Sequence, residues 1–357
     1  MLALLSLARG NPHPPARNAS YAIPTVSVIL PVYNEEKRIG AKLENVLGQN
    51  FPRGQLEVIV VSDGSTDATE RIVAGYGDSV QLLRTAGRVG KSLAQNQAVA
   101  RARGEIVVLT DAAVVMDADC LRNLLAPFSD ERVGCASARL LFGTGNSVTG
   151  KDQGLYWNYE LKLRRIESEL GILATAAGPA MAIRRELWRD LPADYGDDCV
   201  LPLDVVLQGS RVVHADTALA WDEAFDTARR EFRARVRMTV RNWLGTFSRR
   251  ALLNPLRHPG IAFALWSHKI LRWLSPCFLV AMLAGTVLIA AGGGALWPLG
   301  VLTAAFAAGA AGMFCLFRGR RLPLLASPGS FLLANIAFLF GLLKVARGQT
   351  IKIYQNQ

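Results

Sequence analysis

Three stretches decide the fold: VSVILPVYNEE at 26–36, LEVIVVSDGSTD at 56–67 and EIVVLTDAAVVMD at 105–117. Each starts as an apolar run and ends in a polar loop. The runs VSVIL (26–30), LEVIVV (56–61), VQLL (80–83) and EIVVLT (105–110) are short and bounded by turn residues, which is the signature of strands. Helical periodicity fills the intervals at 36–48, 67–75, 90–103 and 118–126. This alternation predicts an α/β fold, a mixed and mostly parallel sheet with helices on both faces, over residues 23–228. Such sheets bind ligands beyond the C-terminal ends of their strands, where the polar loops fall.

Those loops are PVYNEE (31–36), SDGSTD (62–67) and TDAAVVMD (110–117). One acidic loop at a strand end is ordinary turn chemistry, and Ser65, Thr66 or Asp67 also suits a helix cap. Three on successive strands converge on one crevice. A carboxylate there can accept from a base N–H, bind ribose hydroxyls or hold a divalent cation that bridges phosphates.

Working outward, the chain has 357 residues, of which 51% are apolar and 19% charged, against a typical ~25% charged. That excludes bulk disorder and leaves room for about two domains. The net charge of +11 is unevenly placed. Residues 232–357 carry fifteen Lys or Arg and no carboxylate, leaving 25 basic against 29 acidic residues in 1–231. The folded body is therefore slightly acidic, which argues against nucleic acid as a partner. Five cysteines (Cys120, Cys135, Cys199, Cys277, Cys315) form no CxxC pair, so neither a zinc site nor a disulfide framework is expected. MLALLSLARG at the start is too short to span a bilayer and lacks a basic n-region and an AxA-like cleavage site. Residues 1–8 resemble the tail of a longer apolar segment, so the N-terminus is expected to lie upstream.

The C-terminal third reads as membrane. Apolar stretches cover about 274–291, 295–317 and 328–345, the third uncharged from 328 to 343, against ~20 residues needed to cross the hydrocarbon. Arg249, Arg250, Arg257, Lys269 and Arg272 precede the first, RGRR (318–321) follows the second, and GGGALWP between them is uncharged. The positive-inside rule then puts the N-terminal domain in the cytoplasm of a multi-pass inner-membrane protein. The third stretch would carry Lys344, Arg347 and Lys352 outside if it crossed, so crossing, re-entrant and interfacial readings stay open. Residues 229–250 place Phe232, Val236, Val240, Trp243, Leu244 and Phe247 at steps of three and four, with eight arginines around them. A basic amphipathic helix of this kind is expected to lie on an anionic membrane surface, or to pack on the domain, or both. The division is thus an N-terminal segment (1–22), the α/β domain (23–228), a basic amphipathic interfacial region (229–272), a transmembrane region (273–347) and a tail (348–357).

PVYNEE, VIVVSDGSTD and GKSLAQNQAVARARGEIVVLTDA, in that order and spacing, resemble the family-2 inverting glycosyltransferases with a GT-A nucleotide-sugar-binding fold. GPAMAIRRELW (178–188) and DDCVLPLDVVLQGSRVV (197–213) continue the likeness, and the C-terminus is similar to that of bacterial polysaccharide, cellulose and hyaluronan synthase-like enzymes. The resemblance implies a membrane-bound transfer of a sugar from a nucleotide-diphosphate sugar, a UDP-sugar in the first instance, to a lipid-linked or polysaccharide acceptor. It places Pro31, Tyr33 and Glu35 beside the uridine, Asp63 at the uracil ring and Lys91 near the nucleotide. Asp111 matches the first position of the D-x-D element, near ribose, diphosphate and metal. Ala113 replaces the third position and cannot ligate, so Mg²⁺ or Mn²⁺ would rest on Asp111, phosphate oxygens and water, with or without another side chain.

GDD (196–198) matches the catalytic-base element, with Asp198 as base and Asp197 as helper or N-cap. An inverting transfer needs one base for the acceptor hydroxyl, and adjacent carboxylates raise each other's pKa. The processive motif QxxRW is reduced here to Thr239–Trp243, so polymer synthesis is in doubt, and Arg241 or Arg237 would supply the missing diphosphate charge. Trp243 suits that role or a membrane anchor. Tyr156, Trp157 and Tyr159 form a candidate acceptor platform or core packing. Two or three spans are few for a polymer channel, so a secretion or polymerisation partner would be a separate protein. The alternatives are a single-addition lipid glycosyltransferase and a non-catalytic nucleotide-sugar binder.

Overall fold

The computed structural model describes residues 23–142, 150–223 and 225–351, with the backbone alone for 150–156. The N-terminal segment and most of the tail lie outside the described residues.

Eight strands form one sheet: β1 (Val26–Val32), β2 (Leu56–Ser62), β3 (Gln81–Arg84), β4 (Ile106–Thr110), β5 (Val115–Met116), β6 (Val133–Phe142), β7 (Ala180–Arg184) and β8 (Arg211–Asp222). Their order is β3-β2-β1-β4-β7-β6-β8-β5. β3, β2, β1 and β4 run parallel, β7 is antiparallel to both β4 and β6, and β8 is parallel to β6. The mixed, mostly parallel sheet is therefore as the sequence implies, and the antiparallel β7 enters where the strand–helix alternation stops.

Alternate residues of β1 feed two cores. Val28 and Leu30 pack with Ile39, Leu43 and Val46 of α1 (Ile39–Leu47), and with Leu121 and Leu124 of α4 (Cys120–Leu125). Ile29 faces the other way, with Ile59 and Val61, onto Ala94 and Ala98 of α3 (Lys91–Val99) and Val200 and Leu201 of α6 (Asp197–Leu207). Burial on both sides explains why these strands are unbroken apolar runs. A short α2 (Thr69–Ala74) and the twenty-residue α5 (Gly150–Glu169) complete the domain.

α7 (Ala228–Ser248) is the arginine helix, capped by the Thr227 hydroxyl, which accepts from the Arg230 N–H at 3.3 Å. Its apolar face does not lie bare toward lipid. Phe232 meets Phe340 edge-on at 5.8 Å, and Ala228 joins Leu316 and Leu333 in one buried cluster. At Gly341 an added Cβ would fall 2.7 Å from Thr239, so the glycine lets the two helices touch backbone to side chain. The partner that covers this row is the last helix among the described residues, a long-range choice no local pattern specifies.

The expected interfacial region is thus two elements. After α7 the chain forms α8 (Pro259–Trp273), with a π-helical stretch at Leu265–Ile270, which meets α9 (Ser275–Ala291) at a 60° bend. α10 (Trp297–Phe317) and α11 (Pro323–Ala346) are long and apolar enough to cross a membrane, and α8 with α9 would form a third span if the bent pair is one. The third apolar stretch is accordingly a continuous helix of 24 residues, beginning five residues before Pro328. The first stretch, α9, is the short one, at 17 residues. α10 and α11 cross at glycines: a Cβ on Gly329 would fall 2.4 Å from the Gly312 carbonyl carbon.

Candidate active site

The β1 and β2 loops are sewn together at the strand ends. Asn34, the one non-glycine residue with positive φ (54°) among those described, accepts the Thr66 N–H at 2.8 Å through its side-chain oxygen. The Glu36 N–H donates to Asp67 at 3.1 Å, and the other Asp67 oxygen accepts the Thr69 N–H at 2.9 Å. Asp67 thus closes the turn just ahead of the helix that starts at Thr69, whose N-cap position is Ala68. The Glu35 carbonyl caps α1 by accepting from Arg38 and Ile39 at 2.9 Å. Burial pushes the Glu35 carboxyl up against the opposing charge of Arg38, and Asp111 and Asp67 add to the rise.

Pro31 lies half-buried in β1, and the Tyr33 ring is covered by the Arg88 guanidinium at 3.7 Å. Asp63 is 6% exposed, and its carboxylate accepts the N–H groups of Val89 at 2.7 Å and Gly90 at 2.9 Å. That differs from the expected direct contact with a base: the side chain turns inward and fixes the loop that carries Arg88 and Lys91. Gly90 has φ 95°, a left-handed conformation that a side chain would strain, and its carbonyl opens α3.

Lys91, the first residue of α3, joins three parts of the sequence. Its ammonium lies 2.8 Å from Asp111 at the end of β4 and 3.2 Å from Asp197 at the start of α6. Gln95, one turn along α3, donates to the same Asp197 oxygen at 2.8 Å. Burial would raise the Asp197 carboxyl, but Lys91, the Gln95 amide and Arg241 outweigh it and hold the group below the usual range. Asp198 goes the other way, pushed up by burial and by the negative charge of Asp197. One carboxylate is tied by a cation and an amide, and its half-buried neighbour carries the raised pKa. A Cβ on Gly196 would sit 2.8 Å from Asp198 Oδ1 and 2.5 Å from Asn242 Oδ1, so the glycine keeps the approach to both open.

The residues proposed for diphosphate or acceptor are placed otherwise. Arg241 is engaged with the Ser92 hydroxyl at 2.9 Å and with the carbonyls of Ala193 (3.1 Å), Ile351 (3.2 Å) and Tyr195. It ties α7 both to the α/β domain, through Ser92, Ala193 and Tyr195, and to the start of the tail, through Ile351. Trp243 stacks on Phe247 at 4.5 Å and lies 5.9 Å from Trp273, filling the seam between α7 and α8. Arg237 is half-buried on α7. Trp157 packs edge-on to Phe142 at 5.0 Å, as core and not as a platform; Tyr159 is exposed, and the Tyr156 side chain lies outside the described residues. Gln95, Arg88 and Asn242 were not singled out from the sequence. Gln95 had a visible signal, a polar residue one turn after Lys91.

For a divalent cation, no group of three or more His, Cys, Asp or Glu is arranged to hold one among the described residues. Asp111 is 35% exposed, pairs with Lys91, and has Ala113 where a second ligand would stand. The donor set suits a cation that arrives shared with phosphate oxygens, with Asp111 as its protein ligand, and not one resident in the protein.

Residues 27–191 match the model of Glycosyl transferase family 2. The chain is 27% identical over 287 residues to an N-acetylglucosaminyltransferase of Rhizobium meliloti, covering 75% of this chain and 67% of that protein. It is 28% identical over 171 residues to a beta-monoglucosyldiacylglycerol synthase of Nostoc, covering 46% of this chain and 36% of that enzyme. Among solved structures it resembles the mannosyltransferase PcManGT from Pyrobaculum calidifontis, determined with GDP-Man and Mn²⁺, at 25% identity and a TM-score of 0.73 over 96% of each chain. That match extends through the C-terminal helices as well as the sheet. Residues 27–191 thus match a glycosyl transferase family 2 domain, and the sheet with its strand-end crevice and paired carboxylates has the GT-A architecture of the transferases it resembles.

Proposed function

We propose that the protein is a membrane-bound inverting glycosyltransferase that moves a sugar from a nucleoside-diphosphate sugar to a lipid-linked or glycan acceptor in cell-envelope or exopolysaccharide synthesis. The observation that carries this reading is the Lys91 bridge between Asp111 and Asp197, with Asp198 beside it and raised in pKa. The acceptor hydroxyl gives its proton to Asp198 as its oxygen attacks the anomeric carbon. The bond from that carbon to the diphosphate breaks on the opposite face, and the nucleoside diphosphate leaves with the electron pair. Lys91 offsets the negative charge that develops there. A divalent cation held by Asp111 and the diphosphate would add to that neutralisation.

Pro31, Tyr33 and Glu35 border the nucleotide, and Asp63 acts on it through the loop it holds. We take the donor to be a UDP-sugar; GDP is the second reading, because the PcManGT structure contains GDP-Man. α10 and α11 cross the membrane, with the catalytic domain on the cytoplasmic side where the basic loops lie. The test is a donor panel: membranes containing the protein, incubated with UDP- and GDP-sugars, scored for released nucleoside diphosphate. Turnover of UDP-sugars above GDP-sugars supports the reading. Turnover of GDP-sugars alone replaces uridine with guanosine, and no release from any donor, with or without added lipid extract, identifies a non-catalytic binder.

A further inference from the structure

Lys42 has no part in the chemistry above, and its position is unusual. It sits on the apolar face of α1 between Ile39, Leu43 and Val46, and is 3% exposed. Its ammonium donates to the Thr110 hydroxyl at 2.9 Å and to the Val114 carbonyl at 2.6 Å, both neutral oxygens. Those two residues flank the Asp111–Ala113 turn, which is closed above by the Val114 N–H to the Asp111 carbonyl at 3.2 Å. The β5–β8 register pairs Val115 with Trp221, which puts Asp222 alongside the same turn.

A buried ammonium bonded only to neutral atoms is a costly arrangement, and a fold keeps one where the charge is used. The titratable groups that face it are Asp111 on the turn, Asp222 on β8 and the Cys120 thiol on α4. Burial pushes Lys42 down to about 8. It pushes the Asp222 carboxyl up to about 6, with Asp111 adding to the rise.

We infer that Lys42 is a positioning residue for the donor: its buried ammonium ties both ends of the Thr110–Val114 turn and so holds Asp111, paired with Lys91, aimed at the diphosphate. It does so in a chain whose turn has alanine at the position where a second acidic or amide side chain would brace it. The inference rests on the nucleotide-binding reading of the crevice.

The experiment measures UDP and GDP affinity by calorimetry, together with melting temperature, for the full-length protein and for Lys42→Met and Lys42→Gln. Met matches the length of the lysine stem and removes the buried charge; Gln keeps donors for Thr110 and Val114 without charge. The expected result is a loss of about tenfold in nucleotide affinity in both variants, with the melting temperature kept or raised, as for a lost charge-assisted contact. In turnover, the donor KM rises while kcat changes within a few fold. Affinity equal to that of the unaltered protein in both variants overturns the inference. So does a fall in melting temperature with kcat and KM both degraded in each, which marks a structural tie only. An unaltered protein that binds neither nucleotide overturns the inference together with the reading beneath it.

Discussion

Asp197 and Asp198 are adjacent carboxylates with opposite electrostatics. Lys91 and Gln95 hold the first down, and the charge of the first pushes the second up. Transfer should therefore fall as pH drops through the raised Asp198 value, on the high side of the ordinary ~3.9 of an aspartate. In Asp197→Asn the neighbouring negative charge is gone, so the acid limb of the rate profile should move to lower pH even as the maximum rate falls. An acid limb that stays in place would show that the pair is not coupled in this way. Asp63→Ala should weaken nucleotide binding by roughly tenfold or more, because a buried charge-assisted contact is lost. The effect runs through the Val89–Gly90 loop, so amide exchange at those two residues should quicken in the same variant. At this scale the carboxylates themselves were legible, since each ends a strand or opens a helix. The bridge was not, because positions 91, 111 and 197 meet only after three elements have packed. The contacts of Arg241 and Trp243 were not legible for a related reason: an arginine and a tryptophan beside a motif say nothing about which carbonyls and rings they will meet.

At the scale of elements, helix α7 shows what periodicity can and cannot specify. The row Phe232–Val236–Val240 announces an apolar face, and the arginines a polar one. The identity of the surface that meets that face is a tertiary matter, settled here by Phe340, Leu333 and Gly341 of α11. The last apolar stretch was bounded at Pro328, inside the helix that the structure shows. A proline inside a helix removes a backbone donor, yet α11 starts at Pro323 and runs through it, as apolar helices packed on neighbours tolerate. Gly341→Leu should pry α7 from α11, with an overpacking cost of about 1–3 kcal/mol read as a lower melting temperature in detergent. Gly285→Ala in α9, where an added methyl meets nothing within 4 Å, should be neutral or stabilising by about 0.5–1 kcal/mol. Equal effects from the two substitutions would contradict this account of the helix seam.

The whole molecule divides its charge and its polarity along the chain. An acidic-leaning α/β body holds the nucleotide crevice, and the last 126 residues carry every remaining cation and none of the carboxylates. The order of apolar runs and polar loops in the first 117 residues was enough to foresee the body, because parallel strands buried on both faces leave a continuous signal. If α10 and α11 cross the lipid as proposed, the protein should stay with membranes at 1 M salt, where the Debye length is only ~3 Å, and should leave them in detergent; release by salt alone would mean that the attachment is electrostatic. The central claim is that the crevice transfers a sugar with Asp198 as the base. The most direct measurement compares Asp198→Asn with the unaltered protein for both glycosyl transfer and nucleotide affinity. Transfer should fall by ~10²–10⁴-fold while the affinity for the nucleoside diphosphate stays within a few fold, because a neutral amide cannot accept the acceptor proton. Transfer retained within a few fold would contradict the claim.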